Sequence, residues 1–99
     1  MKIKIHSVHF DADKKLEENI QDKINRLVKF YDSIIGAEVI LRLANTHTPE
    51  NKIIEVRLEI PGNDLFTKKQ NATFEASLDA AIDALRRQIS KHKEKQRGI

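Results

Sequence analysis

The sequence of 99 residues contains no cysteine and no tryptophan, and it has no long apolar run. Without cysteine there are no disulfides and no thiolate zinc sites, which fits a reducing compartment. No apolar run approaches the ~18 residues that a membrane-spanning helix needs. The N-terminal residues alternate lysine with isoleucine, whereas a signal peptide has a continuous apolar block. We therefore expect one cytoplasmic domain over residues 1–99.

Aromatic residues and glycines are also scarce. There are four phenylalanines and one tyrosine, whereas proteins that read unstacked RNA bases display several aromatic side chains on a sheet. The three glycines are isolated, so there is no glycine-rich phosphate loop. His6 and His9 have no carboxylate at ligand spacing, so we expect no metal site. The composition favours recognition of a backbone and its shape by lysine and arginine.

Two carboxylates have a spacing that acid–base chemistry can use. Asp79 and Asp83 are four residues apart on the last predicted helix. The alternative is structural, because the macrodipole favours anions in this half of the helix. Each carboxylate can then pair with a basic residue one turn on, Asp83 with Arg86 or Arg87. We favour this alternative and expect no enzyme activity and no cofactor.

Alternation of apolar and polar residues predicts four strands. A change of parity between Ile5 and Val8 predicts a bulge near residues 6–7 of the first strand. In the second and third strands one set of side chains is apolar, and the other set, which includes Ile53, faces water. Pro61 and Gly62 predict a tight turn before the fourth strand, in which Lys68 suits a sheet edge. The predicted strands cover residues 2–10, 37–44, 53–60 and 65–70.

Apolar residues spaced by three and four predict two amphipathic helices, at residues 13–31 and 73–97. Asp13 and Thr73 are residue types that cap helix N-termini. Because the sheet has one wet face, both helices should pack on the other face. A strand–helix–strand start makes the first two strands parallel, and short loops make the other pairs antiparallel. The sequence thus predicts an α+β fold, β-α-β-β-β-α, with a four-stranded mixed sheet in the order 1-2-3-4.

Positive charge is concentrated at the end of the last helix. The whole chain has a net charge of +3, but residues 86–99 hold six basic residues and one acidic residue, a net +5. This asymmetry indicates a polyanionic partner, although a frayed, solvated C-terminus is the alternative. The basic residues form two stripes: Arg87, Lys91 and Lys95 in one, and Arg86, Lys93 and Arg97 in the other.

The first helix has a smaller basic flank, formed by Lys23, Arg26 and Lys29. Taken alone, this flank fits an ordinary solvated helix surface. Packed beside the last helix, its charges would merge with the stripes there. We call the merged face the basic two-helix surface and predict that it contacts RNA. Its predicted members are Lys23, Arg26, Lys29, Arg86, Arg87, Lys91, Lys93 and Lys95.

Over nearly its whole length the sequence resembles the short ribosome hibernation-promoting factors, which include the ribosome-associated translation inhibitor. The resemblance is carried by residues 3–10 (IKIHSVHF) and by the apolar and basic pattern of residues 16–32. It is clearest where Leu78-Asp79 is followed by LRRQISKHKEK at residues 85–95. This run is similar to the family's Ile/Leu-Asp step followed by Leu-x-x-Gln-Leu/Ile-x-Lys-x-Lys.

The resemblance implies a fold close to a double-stranded-RNA-binding domain with an extra first strand. It implies binding to the small ribosomal subunit and its rRNA, in the channel between head and body that messenger and transfer RNAs use. Family members block translation there and protect idle ribosomes in resting or stressed cells, as in stationary phase. Carried over by position, the RNA contacts are Lys23, Arg26, Lys29, Arg87, Lys91 and Lys93.

The sequence departs from the family pattern at two positions. Many relatives have a lysine where this chain has Ala84, which moves or removes one contact, with Arg86 as the substitute. Thr73 replaces the usual aspartate at the start of the last helix. We further expect no C-terminal dimerisation domain, a monomer off the ribosome, and a basic end at residues 94–99 that becomes ordered only on RNA.

Two other functions are compatible with the sequence. One is an RNA-binding module of similar fold that acts on free structured RNA. The other is a protein-interaction domain whose basic end binds an acidic partner. Neither requires a membrane or a small-molecule substrate. Affinity for duplex RNA, compared with affinity for the small subunit, separates the first of these from a ribosome-binding inhibitor.

Overall fold

The structure is a computed structural model that describes residues 2–45 and 47–97, the last three of these by their backbone alone. It contains every predicted element in the predicted order. The elements are β1 (Lys2–Ser7), α1 (Lys14–Phe30), β2 (Gly36–Leu43), β3 (Lys52–Ile60), β4 (Asn63–Asn71) and α2 (Phe74–Arg97).

The four strands form one sheet in the order β1-β2-β3-β4, which confirms the predicted topology. β1 runs parallel to β2, with Ile3 beside Ala37, because the crossover through α1 returns the chain to the end of the sheet where β1 began. The β2–β3 and β3–β4 pairs are antiparallel. The sheet is therefore mixed, and β1 and β4 are its edges.

Both helices pack on one face of the sheet and enclose a single hydrophobic core. Burying a valine, leucine or isoleucine side chain stabilises the folded state by roughly 1.5–3 kcal/mol. The apolar stripes thereby fix the rotation of each helix about its axis. The fully buried large aliphatic side chains of the helices are Ile20, Ile24, Leu27, Leu78, Leu85 and Ile89, and those of the strands are Val39, Leu41, Ile54, Val56 and Leu58.

Ile53 is buried, although the alternation pattern predicts that it faces water. It is only 7% exposed. Its neighbours across the strands are Arg42 on β2 and Gln70 on β4. Long polar side chains cover apolar neighbours with their aliphatic stems, and Ile53 lies between two of them on a central strand. The alternation pattern predicts on which face of the sheet a side chain lies, but it does not predict how far neighbouring side chains shield it from water.

The first strand is shorter than predicted. β1 pairs regularly with β2 through Ser7 and ends there, so the predicted extension to residue 10 and its bulge are wrong. The chain turns at His9, whose φ of 64° lies in the left-handed region that few residues other than glycine adopt. This turn directs Phe10 back to the core, where its ring stacks on Phe74 at a centroid distance of 5.3 Å.

The predicted tight turn joins β3 to β4. Gly62 has a φ of 95°, which glycine adopts without a Cβ clash. β4 extends past the predicted residues 65–70 at both ends, because its pairing with β3 continues to Asn71 despite the weak sequence pattern. Lys68 is exposed on this edge strand, where a charged side chain discourages pairing with another chain.

Both predicted N-caps are present. The Asp13 carboxylate accepts a hydrogen bond of 2.7 Å from the backbone N–H of Leu16. The Thr73 hydroxyl oxygen accepts one of 3.1 Å from the N–H of Ala76. Each bond satisfies a donor that the first turn of a helix otherwise leaves free. The caps fix where the two helices begin.

Replacing Thr73 by alanine should lower the free energy of unfolding by about 1 kcal/mol, because the Ala76 N–H loses its acceptor. Urea denaturation followed by circular dichroism measures this change. Thr73→Asp is the control: it keeps an acceptor and places a negative charge at the positive end of the helix dipole. Its midpoint should equal or exceed that of the wild type, and an unchanged midpoint for Thr73→Ala would contradict the capping role.

Candidate nucleic-acid interface

The two helices lie side by side, and an ion pair joins them at the surface. The Lys23 ammonium donates a hydrogen bond to the carboxylate of Asp79. The predicted pairing of Asp79 with a basic residue one turn on in α2 is wrong. The residues at that spacing are Ile82 and Asp83, neither of which is basic. The packing of α1 against α2 supplies the cation instead.

In the basic flank of α1, Lys23 contacts α2 through its ion pair with Asp79. Lys23 is half-buried at the junction of the helices, whereas Arg26 and Lys29 are exposed. The Arg26 guanidinium pairs with Asp22 at 3.1 Å. Among the described residues, Lys29 has no acidic partner, and it lies in the last turn of the helix, where the dipole favours a cation. Lys29 is therefore the cation of this flank that can bind an anion without first breaking an ion pair.

The second half of α2 carries the other predicted cations of the surface. Arg87 pairs with Asp83 one turn earlier, which confirms a predicted pairing. Lys91 is exposed and has no acidic partner in the described part of the chain. The side chains of Lys95 and Arg97, both predicted members of the helix stripes, lie outside the described residues. In the stripe of Arg87, Lys91 and Lys95, Lys91 is therefore the described cation that is open to a ligand.

Lys93 is held against the end of α1 by contacts that the sequence pattern did not predict. Its Nζ donates a 2.9 Å hydrogen bond to the backbone carbonyl oxygen of Phe30. It also lies 4.4 Å from the centroid of the Phe30 ring and 5.5 Å from that of Tyr31. A carbonyl at a helix C-terminus lacks an intrahelical donor, and Lys93 supplies one from the neighbouring helix.

Arg86 reaches the same ring from two turns earlier on α2. Its guanidinium carbon lies 5.9 Å from the centroid of Phe30. Seven residues are close to two helical turns, so Arg86 and Lys93 project from the same side. Sequence reasoning missed Phe30 as a member of this surface. The available signal was an aromatic residue in the last turn of α1 that lies off the apolar stripe and follows Lys29.

The outer face of the sheet has a different charge pattern. Arg57 lies between Glu38 at 3.0 Å and Asp64 at 3.8 Å, and Arg42 pairs with Glu55 at 3.1 Å. Opposite charges therefore neutralise each other across neighbouring strands. The excess positive charge of the chain lies near the end of α2. A polyanion is attracted to the helices more than to the outer sheet face.

The carboxylate pair on α2 has a structural explanation. Asp79 and Asp83 are each bound to a basic side chain, which supports ion pairing over acid–base chemistry. In the described part of the chain, no cluster of three or more histidine or acidic side chains could hold a metal ion. His6 is exposed on an edge strand, and His9 is exposed in the turn after it. No described helix is long and apolar enough to cross a membrane.

Comparison with known proteins adds independent information about the chain as a whole. The sequence model of the family described as sigma 54 modulation protein / S30EA ribosomal protein matches residues 3–97. The ribosome hibernation promoting factor of Pseudomonas putida is 28% identical over 99 residues, which are 100% of this chain and 93% of that protein. The ribosome hibernation promoting factor of Azotobacter vinelandii is 29% identical over 96 residues, 97% of this chain and 86% of that protein.

A solved structure shares the fold. A ribosomal subunit interface protein from Coxiella burnetii superposes with a TM-score of 0.83. The alignment covers 94% of this chain and 98% of that one, at 22% sequence identity. The likeness therefore extends over the sheet and both helices.

The contacts of Lys93 predict a contribution to stability that Lys91 lacks. Lys93→Ala removes a hydrogen bond to the end of α1 and a cation–π contact, and should lower the free energy of unfolding by about 1 kcal/mol. Lys91→Ala removes the same charge from an exposed site and should stay within about 0.5 kcal/mol of the wild type. Urea denaturation of both variants measures the difference. Coincident unfolding curves for the two variants would refute the structural role of Lys93.

Proposed function

Because this chain belongs to the family of sigma 54 modulation proteins and S30EA ribosomal proteins and acts in ribosome hibernation, we propose that its basic two-helix surface binds the small ribosomal subunit. One observation carries the proposal: the cations of α1 and α2 lie on one side of the sheet, joined by the contact between Lys23 and Asp79. The ligand that suits such a surface is the phosphate backbone of ribosomal RNA.

The cations of this surface would contribute in different ways. Lys29 and Lys91 can meet a phosphate directly. Arg26 and Arg87 are paired with aspartates on their own helices, so a phosphate has to take the place of a carboxylate. Exposed ion pairs of this kind contribute less than about 1 kcal/mol, so the exchange costs little. Arginine can then bind a phosphate through two parallel hydrogen bonds, whereas lysine acts as a point charge.

The proposed mechanism of inhibition is steric. The protein fills the channel between the head and body of the small subunit, where messenger and transfer RNAs would bind. The sheet and its single core hold both helices in place, so the surface docks without first having to fold. No bond is made or broken in this mechanism. It would act on ribosomes of the cytoplasm in resting or stressed cells.

Reversing two exposed charges on α2 tests the surface. Arg87→Glu combined with Lys91→Glu should weaken binding to small subunits at least tenfold, because two attractive interactions with phosphates become repulsive. Removal of each phosphate interaction should reduce the slope of log K against log salt by about 0.7–0.9. Co-sedimentation with small subunits over a range of salt concentrations measures both quantities.

The matched control is Lys4→Glu combined with Lys68→Glu. It makes the same change in net charge at two exposed positions on the outer sheet face. This variant should bind as the wild type does. Equal binding by all three proteins would exclude the helices as the docking surface. Binding of the wild type to duplex RNA as tightly as to small subunits would instead favour an RNA-binding module of broad specificity.

Occupation of the RNA channel predicts competition. Small subunits already loaded with messenger RNA and initiator transfer RNA should bind the protein at least tenfold more weakly than empty subunits. In a cell-free translation reaction, adding the protein before messenger RNA should inhibit more than adding it after initiation. Equal binding to loaded and empty subunits would place the protein elsewhere on the subunit. Competition assays with a fluorescently labelled protein distinguish these outcomes.

A further inference from the structure

Phe30 is an exposed aromatic ring within the basic two-helix surface. It is 42% exposed, at the last residue of α1. The other large hydrophobic side chains that are exposed among the described residues are Ile35, Leu43 and Phe66. Among the described side chains no cation–π contact is found at Phe66, whereas two cations lie over Phe30. Single exposed apolar residues are common, so the surroundings of the ring carry the inference.

The core does not require the ring of Phe30. The next residue, Tyr31, turns inward and is only 7% exposed. Leu27, one turn earlier, is fully buried. The apolar stripe of α1 thus continues from Leu27 to Tyr31 and does not include Phe30. The phenyl ring projects toward the neighbouring helix and the solvent.

The cations around the ring hold it in place. Lys93 donates to the carbonyl oxygen of Phe30 at 2.9 Å and lies 4.4 Å from the ring centroid, so one side chain contacts both the backbone and the ring. Arg86 lies 5.9 Å from the centroid. A side chain that is already ordered loses less conformational entropy when a ligand binds. The ring and its two cations form a preorganised group.

We propose that Phe30 is a stacking platform for one unpaired base of ribosomal RNA, with Arg86 and Lys93 as the contacts for the adjoining phosphates. Proteins that bind single-stranded nucleic acid combine these two features, an aromatic ring for the base and cations that follow the backbone. The proposal rests on the proposed function, because it assigns a ligand within the same surface. It adds a contact with a base to contacts that otherwise involve phosphates.

The chemistry of the platform determines its selectivity. Every nucleobase has a π-face, so stacking alone tolerates any sequence. It does require a base that is not stacked in a helix, which phosphate contacts alone do not require. Phe30 would therefore select a bulge, a loop or a strand end over continuous duplex RNA. This selectivity is compatible with the scarcity of aromatic residues, since one ring fixes one nucleotide.

Replacing the ring by a branched aliphatic side chain tests the platform. Phe30→Leu keeps an apolar side chain but removes the π-face, and it should weaken binding to small subunits roughly 5- to 100-fold. Phe30→Tyr keeps the ring and should bind as the wild type does. Phe66→Leu makes the same substitution on the outer sheet face, where the side chain is 51% exposed, and should leave binding unchanged. Circular dichroism and urea denaturation establish that each variant is folded.

The dependence on salt separates stacking from charge. Stacking releases no counterions, so Phe30→Leu should shift the plot of log K against log salt without changing its slope. A reduced slope would mean that the ring only positions Arg86 and Lys93, and would overturn the platform. Chemical probing of the rRNA bases gives a second measurement. One unpaired base should be protected by the wild type and by Phe30→Tyr, but not by Phe30→Leu.

The outcomes also separate the platform from the proposed function. If the wild type binds small subunits and Phe30→Leu binds equally well with the same base protection, only the platform is overturned. If the wild type does not bind small subunits at all, the proposed function fails and the platform fails with it. If Phe66→Leu weakens binding as much as Phe30→Leu does, the loss is not specific to the ring on α1, and the platform is overturned.

Discussion

Burial of two apolar helix stripes against one face of the sheet is the constraint on which the other features depend. Val39 and Leu41 of β2 and Ile54, Val56 and Leu58 of β3 are fully buried on the inner face of the sheet. The outer face carries ion pairs between strands. Because only one face can accept a helix, the two helices have to lie next to each other. Lys23 of α1 then meets Asp79 of α2, although the two residues are far apart in the sequence. The packing of an aliphatic core thus places charged side chains of both helices on one side of the sheet.

This surface is partly neutralised by its own carboxylates. Asp22, Asp79 and Asp83 each bind a cation of the two helices. A polyanion that binds here has to displace these carboxylates. A loosely fitting RNA would therefore gain less binding free energy than the number of cations suggests, and an RNA whose phosphates match the positions of the cations would gain more. If the surface binds RNA as proposed, we expect the aspartates to lower its affinity for RNA in general and to increase the advantage of a well-fitting partner.

The features that the sequence predicted are those with a local or periodic cause. The order of the elements, the strand pairings and both caps follow from periodicity, turn residues and capping residues. The errors arise where a neighbour distant in sequence decides the outcome. Ile53 is buried beside long side chains of two other strands, Asp79 binds a lysine of α1, and the chain turns at His9 instead of continuing as a bulged strand.

The candidate surface shows the same division. Its cations and the pairing of Arg87 with Asp83 were predicted from the spacing along each helix, but the contacts between the two helices were not. The contact of Lys93 with the end of α1 joins residues 63 positions apart, and no pattern within α2 contains that information. Phe30 was overlooked for a similar reason, since its significance comes from Arg86 and Lys93. Sequence identifies which side chains are available, and packing determines which of them act together.

α2 follows the other five described elements along the chain, and this order has a consequence for synthesis. In a nascent chain, the strands and α1 leave the ribosome before α2, whose last turns carry the excess positive charge of the chain. Until α2 has emerged, its part of the sheet stays uncovered and the core cannot close, because a domain folds as a unit. A protein that is still being translated thus presents only the cations of α1. The complete surface comes into being only after α2 has been made.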